Sequence, residues 1–244
     1  RDIYFKIRQD GNRLLYESTE DFDIERFLRL DDPLDEILVN ISKDNTMRKA
    51  VENYKGLRIL RQDPWECMIS FITAARNNIP SIRRTVERLS MEFGDKLELD
   101  GKVSYSFPTP DQLSRASQEE LFKAGLSFRA KNAYPTIQKV AEGEIEFFSL
   151  LDWSYKEARQ ELVKHMGVGE KTADCICLFS LEKMEAFPVD MWIKRFMEKT
   201  YFNGERTTIK KINEFAEQYF GDNAGYAQQY MFHYSRNELI QAIA

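Results

Sequence analysis

The residues best suited to chemistry lie in one short run, Gly167-Val168-Gly169-Glu170-Lys171-Thr172-Ala173-Asp174-Cys175. Two glycines allow a tight turn with positive φ. A helix starting directly after such a turn leaves backbone N–H groups pointing outward, a ready site for phosphate that needs no net positive charge. Lys171 falls in the first turn of that helix and Cys175 one turn later on the same face, so the two share one wall of a pocket. The positive end of the helix dipole and partial burial are both expected to favour the neutral amine of Lys171, and a neutral amine is a nucleophile. The plainer alternative is a surface lysine that only touches phosphate. Nineteen residues further on, Ala186-Phe187-Pro188-Val189-Asp190-Met191-Trp192 brings a carboxylate to the start of another helix. Asp190 is an evident N-cap, and it can also do chemistry if it faces a cleft.

The elements that must position these groups are mostly helices. Ile3-Tyr4-Phe5-Lys6-Ile7-Arg8 alternates polar and apolar residues, turns at Asp10-Gly11-Asn12 and resumes at Leu14-Leu15-Tyr16, which predicts an N-terminal hairpin. Everything after it reads as helical. Asp63-Pro64-Trp65-Glu66 opens a helix running to about Arg76, and Ser81 is the expected cap of the next, which ends at Phe93-Gly94. Thr109-Pro110 and Ser117-Gln118-Glu119-Glu120 open two short helices, the second stopping at Gly125. Ser154-Tyr155-Lys156-Glu157 is a capping box leading a helix towards His165, and two further helices are expected over 208–220 and 223–234. There is no internal repeat and no long linker. The expected fold is mainly α, a helical bundle of two lobes with a small N-terminal antiparallel β portion, and a cleft between lobes is the natural place for a site. The expected division is residues 1–55, β-containing with connecting helices, and residues 56–244, helical, with the hairpin of helices at about 155–182.

The 244 residues are enough for a sizeable core, and 43% hydrophobic with 31% charged residues is ordinary globular composition. No apolar run approaches the roughly 20 residues of a membrane helix. Cys67, Cys175 and Cys177 suit neither a disulfide framework, a zinc site nor a four-cysteine iron-sulfur cluster, so no metal or cofactor is expected and the compartment reads as intracellular. The chain starts without an initiator Met or a secretory pattern, which points to residues upstream of Arg1. A net charge of −5 argues mildly against nucleic acid. The charge is unevenly spread, however: 123–139 carries four basic residues and no acid, and 76–88 carries Arg76, Arg83, Arg84 and Arg88 against Glu87. Solvated faces would account for such runs equally well.

From Leu57-Arg58-Ile59-Leu60-Arg61-Gln62-Asp63-Pro64 to the last helix the chain resembles the helix-hairpin-helix DNA glycosylases, in particular the 8-oxoguanine DNA glycosylases with lyase activity, and within them a prokaryotic member. Gly167-Val168-Gly169-x-Lys171-x-Ala173-Asp174-Cys175-Ile176-Cys177-Leu178 and Pro188-Val189-Asp190 carry the resemblance, in order and in register. It implies a bifunctional glycosylase/lyase in base excision repair. Its partner is double-stranded DNA containing 8-oxoguanine. Lys171 attacks C1′ of the damaged nucleotide and forms an imine that permits β-elimination, and Asp190 stabilises cationic character at the sugar. A flipped base needs a pocket. The resemblance assigns stacking to Cys175 and Phe232 and Watson-Crick-edge reading to Gln228. It assigns backbone contact to Gly167, Val168 and Gly169. Arg76, Asn77 and Asn78 match the segment filling the vacated space, and Phe128 and Arg129 match a wedge and an arginine that meets the orphan cytosine.

The departures are specific. The family's Asn-Asn-Asn is Arg76-Asn77-Asn78, and a second cytosine-reading arginine is replaced by Ser81. Met166 replaces a Pro before the turn, and Trp192 stands where a His is usual, near the expected phosphate. A Gly-Gln segment that senses the lesion would lie upstream of Arg1. Two alternatives remain at this stage: a glycosylase for another damaged purine, and a non-catalytic DNA-binding module that uses Gly-Val-Gly for phosphates only. A helical protein-interaction scaffold would leave the motifs unexplained. A monomer is expected, with no membrane association, working in the cytoplasm or nucleoid of a prokaryote or the nucleus of a eukaryote.

Overall fold

Local capping decides where most of the helices begin. The computed structural model describes residues 3–243, with side chains described up to Arg236. In chain order the elements are β1 (Phe5–Asp10), β2 (Arg13–Ser18), α1 (Ile24–Phe27), α2 (Leu34–Ile41), α3 (Asn45–Asn53), α4 (Pro64–Thr73), α5 (Ile79–Phe93), β3 (Lys96–Leu99) and β4 (Lys102–Tyr105). They continue as α6 (Pro110–Ser114), α7 (Gln118–Leu121), α8 (Ala130–Ala141), α9 (Phe147–Asp152), α10 (Tyr155–Leu162), α11 (Glu170–Ser180), α12 (Met191–Tyr201), α13 (Ile209–Phe220) and α14 (Ala224–Ile243). Thr109, Ser117 and Ser154 each close a complete capping box, as their sequences predict.

Four expectations need correction. The cap of α5 is Asn78, not Ser81: the Asn78 carboxamide accepts from the Ser81 N–H at 2.9 Å. Pro80 has no N–H to offer and its φ suits the first helical turn, so the helix begins upstream of it. α4 stops at Thr73, before Arg76 reverses the chain at φ 50°. The chain after the N-terminal hairpin is not all helical, because β3 and β4 pair antiparallel across Asp100-Gly101. Both turn residues have positive φ, 51° and 69°, the signature of a two-residue hairpin loop. α14 also runs past the expected end, to Ile243.

By internal contacts the chain divides into two units. The first comprises Arg1–Ile24, Trp65–Phe147 and His165–Gly167. Its core is built on α4, where Trp65, Cys67, Met68, Ile69 and Ile72 are buried, with Leu89, Leu113, Leu121 and Ile137 from α5 to α8. The Trp65 indole N–H donates to the Pro108 carbonyl at 2.8 Å, satisfying the one polar atom of the ring.

The second comprises Glu25–Pro64, Phe148–Lys164 and Val168–Ala244. Its central helix is α14, which packs on α2, α3, α12 and α13. Tyr226 donates to Asp32 at 2.6 Å and Tyr230 to the Leu57 carbonyl at 3.1 Å, so the buried rings of α14 hold the 25–64 segment by their hydroxyls. An ion network reinforces that join. Arg29, buried, lies 2.7 Å from Glu182 and 3.6 Å from Asp32, and Arg61 meets Asp31, Asp32 and Glu182. Among the described residues no helix is long and apolar enough to cross a membrane.

Two predictions follow from α14. Its first turn approaches the end of α11 so closely that a Cβ on Gly225 would collide with Leu178 Cδ1 and fall 2.8 Å from the Met184 carbonyl oxygen. Backbone cannot yield as a flexible side chain does, so Gly225→Ala is expected to lower stability by about 1–3 kcal/mol in urea denaturation. Burial, with Arg236 as a lesser cause, depresses the His233 imidazole below its ordinary 6.5. The unfolded chain therefore binds that proton more readily than the folded one, and the histidine removes stability as pH falls through 6.5 towards the lower folded value. Denaturation at pH 7.5, 6.0 and 5.0 should show a smaller loss on acidification in His233→Gln than in the parent.

Candidate active site

The turn ahead of α11 requires a glycine at its first position. Gly167 has φ 86°, in the left-handed region, and a Cβ there would sit 3.3 Å from both Asn132 Cβ and Ile72 Cγ2. Thr136 fixes the preceding carbonyl, donating to the Met166 oxygen at 2.8 Å. Val168 is buried. Gly169 is the N-cap of α11 in extended conformation with no side-chain cap, and the space around it is open. The first N–H groups of α11 are thus left to an incoming acceptor.

One turn into α11 lies a carboxylate that must be paired. Asp174, with its side chain 2% exposed, accepts from the Tyr155 hydroxyl at 2.8 Å and from Arg159 Nε at 2.5 Å, both on α10. Arg159 also reaches Glu170 at 3.4 Å. Burial raises the Asp174 carboxyl above the ordinary carboxylate range, against the pull of the Arg159 guanidinium. Burial also raises the Tyr155 hydroxyl, with the Asp174 charge adding to it, so that this hydroxyl stays a donor. Tyr155 and Arg159 are i and i+4 on α10, so one helix face supplies both partners. This trio is not legible in the sequence alone, where its one visible signal is an acid inside the apolar run Ala173 to Leu178.

On the same helix the Lys171 ammonium lowers the Cys175 thiol from its neighbouring position, and the charge of Asp190 acts on that thiol in the opposite sense. Lys171, Cys175 and Asp190 are therefore gathered in one place. Burial pushes the Cys175 thiol up to about 12, so it stays protonated and does not compete with an amine as nucleophile. Asp190 is the N-cap of α12: its Oδ1 accepts from the N–H groups of Trp192 and Ile193 at 2.9 and 2.8 Å. Both cap bonds use Oδ1, leaving Oδ2 for other work. The half-buried Trp192 is thus tied to Asp190 through its backbone.

α14 presents Gln228 and Phe232 one turn apart. Gln228 is buried and its amide is occupied, Nε2 donating to the Pro188 carbonyl at 3.0 Å and Oε1 accepting from Gln229 Nε2 at 2.5 Å. The first of these bonds pins the extended Pro188-Val189 segment that delivers Asp190. Phe232 is partly exposed, with the Arg236 guanidinium 5.2 Å from its ring centroid.

The other unit gathers the remaining residues of interest. Arg129 is 7% exposed, its Nε donating to the Ala75 carbonyl at 2.6 Å and its Nη2 to that of Arg76 at 3.1 Å. It therefore staples the reversal after α4 in place. Phe128 covers it, ring centroid 4.4 Å from the guanidinium carbon, and is itself 57% exposed. This inverts the ordinary expectation of a buried phenylalanine beside a solvated arginine. Asn77 donates to the Thr73 carbonyl and accepts from the Asn78 N–H, while Arg76 is exposed. Among the described residues no group of three or more His, Cys, Asp or Glu is arranged to hold a metal ion.

Comparison with known proteins adds a lineage to this geometry. The family model for the 8-oxoguanine DNA glycosylase N-terminal domain matches residues 1–68, and that for HhH-GPD superfamily base excision DNA repair proteins matches residues 69–221. The N-glycosylase/DNA lyase OGG1 of Arabidopsis thaliana is 35% identical over 220 residues, 84% of this chain and 60% of that protein. The N-glycosylase/DNA lyase of Saccharomyces cerevisiae is 32% identical over 200 residues, 77% of this chain and 53% of that protein. The chain thus spans little more than half the length of these two relatives. The Clostridium acetobutylicum 8-oxoguanine glycosylase/lyase, solved in complex with dsDNA containing cytosine opposite 8-oxoG, superposes with a TM-score of 0.91 at 36% identity. That match covers 96% of this chain and 82% of the other. The chain belongs to the 8-oxoguanine DNA glycosylases of the HhH-GPD superfamily of base excision DNA repair proteins.

Proposed function

We propose that this protein is a bifunctional DNA glycosylase and AP lyase that removes 8-oxoguanine from duplex DNA. The observation that carries the reading is the convergence of Lys171, Cys175 and Asp190 just inside an uncapped helix N-terminus. An amine, a carboxylate and open backbone N–H groups are what a covalent reaction at a sugar next to a phosphate needs.

In this mechanism the unprotonated Lys171 Nζ attacks C1′. The C1′–N9 bond breaks, and the base leaves with the bonding pair and takes up a proton. Ring opening gives the imine, loss of a C2′ proton breaks the C3′–O bond and expels the 3′ phosphate, and water then releases Lys171. Asp190 Oδ2 stabilises positive charge at the sugar while Oδ1 keeps α12 capped. The N–H groups that follow Gly167, Val168 and Gly169 hold a phosphate of the lesion strand, with Trp192 beside it. Cys175 and Phe232 face the extruded base. Gln228 reads its edge by exchanging the Gln229 contact for the purine. Arg76, Asn77, Asn78, Phe128 and Arg129 meet the orphaned partner. These steps consume only water and need no oxidant or reductant, and a monomer on a single lesion suffices. Its place is wherever the cell keeps its DNA, the nucleoid or the nucleus.

Borohydride trapping on a duplex with one 8-oxoguanine opposite cytosine tests the reading. A covalent adduct is expected from the parent protein on lesion DNA only, and at least a hundredfold less from Lys171→Gln. Equal trapping by Lys171→Gln would move the nucleophile elsewhere, and base release without any adduct would remove the lyase step. Ser81 offers no guanidinium for the orphan base, and one bidentate contact is worth about 1–3 kcal/mol of discrimination. Single-turnover excision rates with C, A, G and T opposite the lesion are therefore expected to lie within roughly tenfold of one another, and a strong cytosine preference would overturn this.

A further inference from the structure

α5 carries a cationic face that the proposed reaction leaves unused. Ser81, Arg84, Thr85 and Arg88 fall on one side of the helix, at i, i+3, i+4 and i+7, and with Gly125 they line an open cavity of about 170 Å³. Its floor is firmly built. Thr85 Oγ1 lies within hydrogen-bonding distance of the carbonyls of Ser81, at 3.1 Å, and Gly125, at 3.2 Å. Gly125 has φ 113°, and a Cβ there would lie 3.0 Å from that hydroxyl oxygen, so the 122–126 turn is pressed onto α5 at this point.

The charges around the cavity are unequal in their commitments. Arg83 pairs with Glu87 at 2.7 Å and Lys123 with Glu119 at 2.6 Å. Among the described residues neither Arg84 nor Arg88 meets a carboxylate, both are exposed, and no acid lines the cavity. Two guanidinium groups one turn apart over a serine and a threonine suit a tetrahedral anion. The position supplies the anion's identity. The chain leaves Gly125 and reaches the exposed Phe128 and the stapled Arg129 three and four residues later, and the Asn78 cap of α5 lies one turn before Ser81.

We propose that Arg84 and Arg88 form a subsite for a backbone phosphate of the strand opposite the lesion. The subsite rests on the reading of this protein as a duplex-DNA glycosylase. It replaces a base-reading arginine with charge contacts one and two turns further along the same helix. The orphan strand is then held by its backbone, which carries no sequence information.

Equilibrium binding of Lys171→Gln to the 8-oxoguanine duplex, measured across salt concentrations, tests the subsite in a background that binds without reacting. Adding Arg84→Ala and Arg88→Ala together is expected to weaken binding roughly tenfold. The same loss is expected with C, A, G or T opposite the lesion. The slope of log K against log salt should become shallower by about 0.9, the value for one phosphate. Arg83→Ala, which removes one positive charge from α5 outside the cavity, should leave the slope unchanged. Neutral methylphosphonates beside the orphan base, on the opposite strand, should abolish the difference between the background and the double variant. Unchanged affinity and slope, a loss confined to one opposing base, or a loss that responds only to lesion-strand methylphosphonates would each overturn the subsite while leaving the glycosylase reading intact. Absence of salt-dependent duplex binding by the Lys171→Gln background would instead sink the reading on which the subsite rests.

Discussion

The geometry around Lys171 depends on a carboxylate that cannot be left alone. Asp174 is buried on α11, and an uncompensated buried charge is costly enough that both its partners must be held in place. They come from consecutive turns of α10, so the two helices are locked by three polar side chains as well as by packing. The connection between them is then obliged to close in a few residues, which is possible only because Gly167 takes a left-handed conformation. The open N–H groups of α11, the depth of Cys175 and the placement of Lys171 all inherit their positions from this lock.

A second dependence runs through α14. Gly225 allows the helix to touch the end of α11, and Gln228 binds the carbonyl of Pro188 two residues before the capping carboxylate. The helix that offers a stacking ring therefore also steadies the segment bearing Asp190. A side chain can serve the fold and the site together: the Gln228 amide is a satisfied core group, and in the proposed function it also reads the purine edge.

Much of this was written in residue types and spacing. The Gly-Val-Gly turn, the lysine and cysteine one turn apart and the Pro-Val-Asp cap are short-range patterns, and the structure reproduces their local geometry because nothing distant competes with a glycine turn or an N-cap. What escaped depended on partners far apart in sequence or on very short elements. The Asp174 trio needs α10 and α11 side by side before it means anything. The burial of Arg129 follows from carbonyls more than fifty residues away, in a chain reversal that no periodicity announces. β3 and β4 are four residues each, too brief for alternation to stand out, although Asp100-Gly101 was a fair hairpin signal. The cap of α5 falls three residues before Ser81 because Pro80 fixes the first turn: serine and asparagine are equally suitable caps by type, and only the proline between them decides.

The sulfur chemistry of the interior has a wider consequence. Cys67, Cys175 and Cys177 are all buried, and burial pushes the Cys175 and Cys177 thiols up to about 12. Peroxide attacks thiolates far faster than thiols, so sulfurs held protonated are poor targets for sulfenic acid formation. The conditions that damage guanine in DNA would thus spare the Cys175 thiol that the proposed function sets against the extruded base.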